Sequence, residues 1–181
     1  MGTINIDEGL AALIATAAAL LSAYINIRAT KTAAHLAAKQ NIVGDDLQEL
    51  STALYEVVAL SVEAINSKDP DRFQEKIEQA AKVSKKLDDL RRRHRYSLPF
   101  VFDPLWYLKG LPIYVSHYRN SLDDPRLQKM KIDATELRLA IDKSLEQYFF
   151  AGKAPGAVSR WNLKRLGRRL ERTFKDGRPT N

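Results

Sequence analysis

Residues 9–27 read GLAALIATAAALLSAYINI, nineteen consecutive positions without a charge. As an α-helix this stretch rises about 28 Å, close to the roughly 30 Å hydrocarbon core of a bilayer. Seven of the nineteen are alanine, and the strongly apolar members are Leu10, Leu13, Ile14, Leu20, Leu21, Ile25 and Ile27. Those seven favour insertion by on the order of 2–4 kcal/mol, and Thr16, Ser22 and Asn26 offset part of that. Asp7 and Glu8 precede the stretch, and Arg28, Lys31 and Lys39 follow it. Under the positive-inside rule these flanks place the short N-terminus outside and the rest of the chain in the cytoplasm. The expectation is a single span in the cell inner or plasma membrane. The same alanine-rich composition also suits a buried central helix of a soluble bundle.

Within this stretch Ala11, Ala15, Ala19 and Ala23 recur every fourth residue. Such a row lets two helices approach closely in lipid, so it is a candidate association face for a homo-oligomer or a protein partner. Alanine is also the best helix former, and seven of them readily produce such a row without any partner.

Outward from residue 27 the helical pattern continues to Gly44, a natural stop, with Asp45 and Asp46 as the next N-terminus. A helix over 46–67 puts Leu47, Leu50, Leu54, Val57, Val58, Ser61 and Ile65 on one stripe. Asp69-Pro70 and Asp124-Pro125 each give a cap followed by proline at the first helical position. They launch helices over about 70–95, burying Phe73, Ile77, Ala80, Ala81, Ser84, Leu87 and Leu90, and over about 125–151. The latter buries Leu127, Met130, Ala134, Leu137, Ile141, Leu145, Tyr148 and Phe149. Between them, prolines at 99, 104 and 112 and Gly110 are expected to chop residues 96–122 into short helices. That segment holds seven of the chain's fifteen aromatics, which suit either core filling or an interfacial position on a bilayer. No stretch alternates as a strand, so the fold class is all-α. The expected organisation is a membrane-spanning or stalk helix over 1–40, a helical bundle over 41–158, and a basic amphipathic helix and tail over 159–181.

The net charge of +7 is concentrated at the C-terminus, where residues 159–181 carry eight cations against two acids. In that last helix Leu163, Leu166, Leu170 and Phe174 form an apolar stripe. Arg160, Lys164, Arg165, Arg168, Arg169, Arg172 and Lys175 surround it. Anionic lipid headgroups, where each nearby cation contributes about 1 kcal/mol, are one match for these cations. Nucleic-acid phosphate is the rival, and a solvated face on a docked helix is the plain alternative. Arg91, Arg92, Arg93 and Arg95 make a second basic spot, read first as compensation of a helix dipole. It joins the anion-binding face if the fold brings it beside the last helix.

Catalytic chemistry has little to hold on to. There is no cysteine, and His35, His94 and His117 are isolated, without metal-ligand spacing. The Asp45-Asp46, Asp88-Asp89 and Asp123-Asp124 pairs point to different sides of a helix, and no phosphate loop, dinucleotide fingerprint or nucleophile elbow is present. No catalytic, cofactor or metal residue is assigned, and an enzyme is the less favoured class.

The plan of apolar helix, basic exit and acidic amphipathic helix resembles a loose class of small, uncharacterised bacterial single-pass membrane-anchored helical proteins. The residues that carry it are Lys39-Gln40, Gln48-Glu49-Leu50 and Leu54-Tyr55-Glu56, with Trp161 followed by Lys164-Arg165 near the end. The resemblance covers about the first 65 residues and the last helix. It implies a context in phage defence or envelope processes, and no mechanism. The function expected is a non-enzymatic, membrane-anchored interaction protein, assembling with itself or protein partners and resting its C-terminal helix on lipid. The alternative is a soluble bundle that binds nucleic acid through its basic helices.

Overall fold

The computed structural model describes the backbone of residues 6–176, and the side chains there except those of 6–15, 17, 18, 21, 29, 31–44 and 176. The described residues form five α-helices and no strand: α1 (Ile6–Asn66), α2 (Pro70–Arg93), α3 (Pro99–Ser116), α4 (Pro125–Ala151) and α5 (Ala157–Asp176). The all-α expectation holds. The chain divides into two compact units, Met1–Val43 and Gly44–Asn181.

In the first unit residues 22–28 are all exposed, and Leu20, Tyr24, Ile25 and Ile27 each keep more than half of their surface open. Among the described residues no helix is long and apolar enough to cross a membrane, so the span expected over 9–27 is not supported there. Many of the side chains that gave it its apolar character, including Leu10, Leu13, Ile14 and Leu21, lie outside the described residues. Ala11 and Ala15 also lie outside them, whereas Ala19 and Ala23 are exposed.

The second unit is a bundle around α3, which packs on α2, α4 and α5, with α4 against α5. Residue pairs give the directions. Ser84 donates to the Lys109 carbonyl at 2.6 Å and Arg91 lies over the Phe102 ring, so α2 and α3 are antiparallel. Asp133 meets Thr173 and Glu136 meets Arg169, so α4 and α5 are antiparallel too. Tyr107 bonds Glu171 and Tyr114 stacks on Phe174, so α3 and α5 run in the same direction. The 44–66 part of α1 lies antiparallel to α2 through Glu49–Lys86 and Glu63–Lys76, and antiparallel to α4 through Ser51–Asp142 and Asn66–Lys131.

The expected stripes form most of the core, with Ala81, Ser84, Tyr148 and Phe149 only half-buried. All seven residues named between Leu47 and Ile65 are buried, as are Phe73, Ile77, Ala80, Leu87 and Leu90 on α2 and the four apolar residues of α5. Each fully buried leucine contributes about 1.5–3 kcal/mol relative to exposure. Both caps form: Asp69 accepts from the Asp71 amide at 3.0 Å, and Asp124 from the Arg126 amide at 2.8 Å. Gly152, at φ 63°, ends α4 in the left-handed conformation that glycine adopts without a Cβ penalty.

Two boundaries differ from expectation. Gly44 does not stop α1, because one glycine costs only about 1 kcal/mol relative to alanine in a helix interior. Asp46 is occupied elsewhere, with Arg93 at 3.3 Å and His94 at 3.5 Å, and so acts as a tertiary partner. Residues 99–116 form one helix with Pro104 and Pro112 inside it. An interior proline costs about 3 kcal/mol. Both prolines are buried along with Val101, Leu105, Leu108, Leu111 and Val115, and burial of this central helix on three neighbours offsets the cost.

Candidate functional site

The two basic stretches meet different fates. On α5, Leu163, Leu166, Leu170 and Phe174 are consumed by packing, so this stripe is not free to insert into lipid. Arg160, Lys164, Arg165, Arg168, Arg172 and Lys175 are exposed on its outer side. Arg169 is not part of that face: its guanidinium pairs with buried Asp133 at 2.8 Å and with Glu136, tying α5 to α4. Asp133 also accepts a 2.8 Å hydrogen bond from the Thr173 hydroxyl.

At the corner between α4 and α5, Phe150, Val158 and Trp161 are all more than 60% exposed. Lys153, Arg160, Lys164 and Arg165 are exposed in the same stretch, with the Arg165 guanidinium 5.4 Å from the Trp161 ring centroid. Large apolar side chains standing out of a cationic surface are the kind of patch that marks an interaction site.

The 91–95 cluster is largely structural. Arg91 is buried, hydrogen-bonded to Asp88 at 2.9 Å, with its guanidinium 4.2 Å from the Phe102 ring centroid and 4.9 Å from that of Trp106. Arg92 pairs with Asp88 at 2.8 Å, and Arg93 pairs with Asp46. Arg95 is exposed, above Tyr96 and Phe102. Burial pushes the Asp88 carboxyl up, but hydrogen bonds from Lys109 and Arg91 outweigh it and hold the group below its ordinary value. Among the described residues α2 does not pack on α5, so the two basic stretches share no helix seam there.

A second feature was not anticipated as a site. A groove of about 800 Å³ opens along α3 and α5, lined by Trp106, Tyr107, Tyr114 and Phe174 with Lys109, His117, Glu171 and Lys175. Beside it Gly167 lets the Tyr107 ring pack close on α5, since a Cβ there would come within 2.8 Å of that ring. Tyr114 is fixed by stacking on Phe174, with centroids 3.9 Å apart and planes 8° from parallel. Burial raises the Tyr107 phenol, and the Glu171 charge beside it raises it further, so it remains a proton donor. The Glu171 carboxylate is held low mainly by its hydrogen bond to Lys175. The aromatic segment thus supplies both core and groove. A glycine in the middle of α5 was the sequence signal for this close approach.

His117 lines the groove, and His94 is buried beside Asp46 and Ser97. The side chain of His35 lies outside the described residues. Among the described residues no cluster of three or more His, Asp or Glu could hold a metal ion. No protein-family model matches this chain, and neither a curated protein nor a solved structure is significantly similar to it.

Proposed function

We propose that this chain is a non-enzymatic interaction protein held at an anionic membrane surface. Residues 9–27 anchor it, and the α4–α5 corner with the outer face of α5 rests on the headgroups. The observation that carries the reading is that residues 150–165 expose Phe150, Val158 and Trp161 together with Lys153, Arg160, Lys164 and Arg165, with Arg165 over the Trp161 ring. Tryptophan and phenylalanine gain by entering the interfacial layer, and the cations add attraction to anionic lipid. Because the stripe of α5 is used inside the bundle, contact is by the corner wedge and by charge, with no insertion of the helix. The exposed run of Leu20, Tyr24, Ile25 and Ile27 supports lipid or a second copy as the surroundings of this stretch. In this reading the N-terminus is outside and the second unit is cytoplasmic.

Fractionation tests the proposal. The full chain is expected to stay in the membrane pellet through an alkaline carbonate wash. A chain beginning at Arg28 is expected to pellet at low salt, to be released by high salt, and to pellet less when Arg160→Glu and Arg165→Glu are combined. Release of the full chain without detergent, together with salt-sensitive retention of either chain on duplex DNA, favours the nucleic-acid reading instead.

A further inference from the structure

The α3–α5 groove has the attributes of a preformed small-molecule site, independent of the lipid-facing corner. Its volume of about 800 Å³ falls in the range of roughly 300–1,000 Å³ typical of ligand pockets. Its walls are rings held from behind. Tyr114 is stacked on Phe174, and the Tyr107 hydroxyl lies 3.4 Å from Glu171. Trp106 keeps about half of its surface open although Arg91 and Lys109 both lie against its ring. At Gly110 there is no side chain to close the opening, and a Cβ would press on the Tyr114 ring at 3.2 Å.

Charge selects the ligand class. Two ammonium groups and an imidazole, from Lys109, Lys175 and His117, line the groove with one carboxylate, Glu171. That carboxylate already receives Lys175 at 2.8 Å and the Tyr107 hydroxyl. Lys109 is fixed in place, its ammonium 3.1 Å from Asp88 and 4.2 Å from the centroid of the Trp106 ring. An ammonium carries three donors, so one carboxylate does not exhaust it. The site therefore offers partly exposed aromatic rings, with a positioned cation lying over that of Trp106.

We infer that this groove binds a small planar aromatic anion, its ring against Trp106 and Tyr114 and its acidic group among the Lys109, His117 and Lys175 side chains. A cationic ligand meets two ammonium groups there, and an uncharged one forgoes their attraction.

Calorimetric titration of the full chain with 2-naphthoate and with uncharged 2-naphthamide tests this. The expected result is one naphthoate per chain, with naphthamide at least about fivefold weaker. Ile113 is an exposed lining residue, and Ile113→Glu places a like charge at the groove, so naphthoate affinity is expected to fall about tenfold. Trp106→Leu, which removes the ring without adding charge, is expected to lose affinity for both compounds. Circular dichroism confirms that each variant is folded. Equal affinity for the two compounds overturns the anion assignment. Undiminished binding in both folded variants, or no binding by the wild type, overturns the site. Arg160→Glu with Arg165→Glu should leave naphthoate binding intact, and Ile113→Glu should leave membrane retention intact, so this inference and the membrane reading fail separately.

Discussion

Replacing Asp88 by asparagine removes the one carboxylate that α2 offers to three cations. Arg91 pays most for the loss: its side chain is only 7% exposed, and its guanidinium is enclosed by Phe102 and Trp106. Breaking a buried pair by removing one partner typically costs about 3–5 kcal/mol, because the surviving charge stays buried and uncompensated. Arg92 is mostly exposed and adds less than about 1 kcal/mol. The expected loss for Asp88→Asn is therefore about 3–5 kcal/mol at neutral pH. The neighbouring exposed Asp89→Asn should stay within about 0.5 kcal/mol of wild type. Urea denaturation followed by circular dichroism reads both. The pH dependence adds a signature. The folded-state pKa of Asp88 lies below its ordinary 3.8, so its contribution is complete above that value and is lost as pH falls through the depressed pKa. The gap between wild type and Asp88→Asn should therefore narrow in acid. A variant as stable as Asp89→Asn, or a gap that does not change with pH, would refute the assignment of Asp88 as the hub of this cluster.

Thr173→Val keeps the shape of the side chain and removes the hydroxyl that donates to buried Asp133; the expected loss is about 1–3 kcal/mol in the same assay. Leu170→Ala empties a fully buried position between α5 and its neighbours and should cost about 2–5 kcal/mol. In Gly167→Ala the new methyl meets the Tyr107 ring; overpacking of about 1–3 kcal/mol is partly offset by about 1 kcal/mol of helix propensity. A net stabilisation there would show that the Tyr107 ring moves aside freely. Asp142 behaves oppositely to Asp88, since burial raises its pKa despite Arg138 and Ser51. Its penalty is absent below the ordinary 3.8 and grows as pH rises through the raised value, so Asp142→Asn should gain on wild type over that range.

The helices that were legible in the sequence were those with one apolar face and a defined start. Leu127, Met130, Ala134, Leu137, Ile141 and Leu145 recur at helical spacing behind an Asp-Pro cap, and local chemistry alone specifies α4. Helix α3 was not legible because it is central: apolar on several sides, it lacks the contrast that periodicity detects, and its interior prolines argued for breaks. The outer cations of α5 could be read from spacing. Arg169 could not be separated from them, because the carboxylates that claim it belong to α4. Arg91 was closer to legible, since Asp88 stands three residues before it on the same helix. The placement of Tyr107 in the groove wall involves Gly167, sixty positions away along the chain, a distance over which sequence pattern carries no geometric information.

Helix α5 also contains its own reporter of docking. Arg160, Lys164, Arg165, Arg168, Arg169, Arg172 and Lys175 are each a trypsin cleavage position, yet a protease needs an extended segment, which a docked helix withholds. Leu163, Leu166, Leu170 and Phe174 set the free energy of lifting this helix from α3 and α4. The rate of tryptic release of the C-terminus therefore measures that opening equilibrium directly when reclosing is fast. Anything that binds the folded outer face slows the cut, so a partner can be detected by the lifetime of the helix before its identity is known.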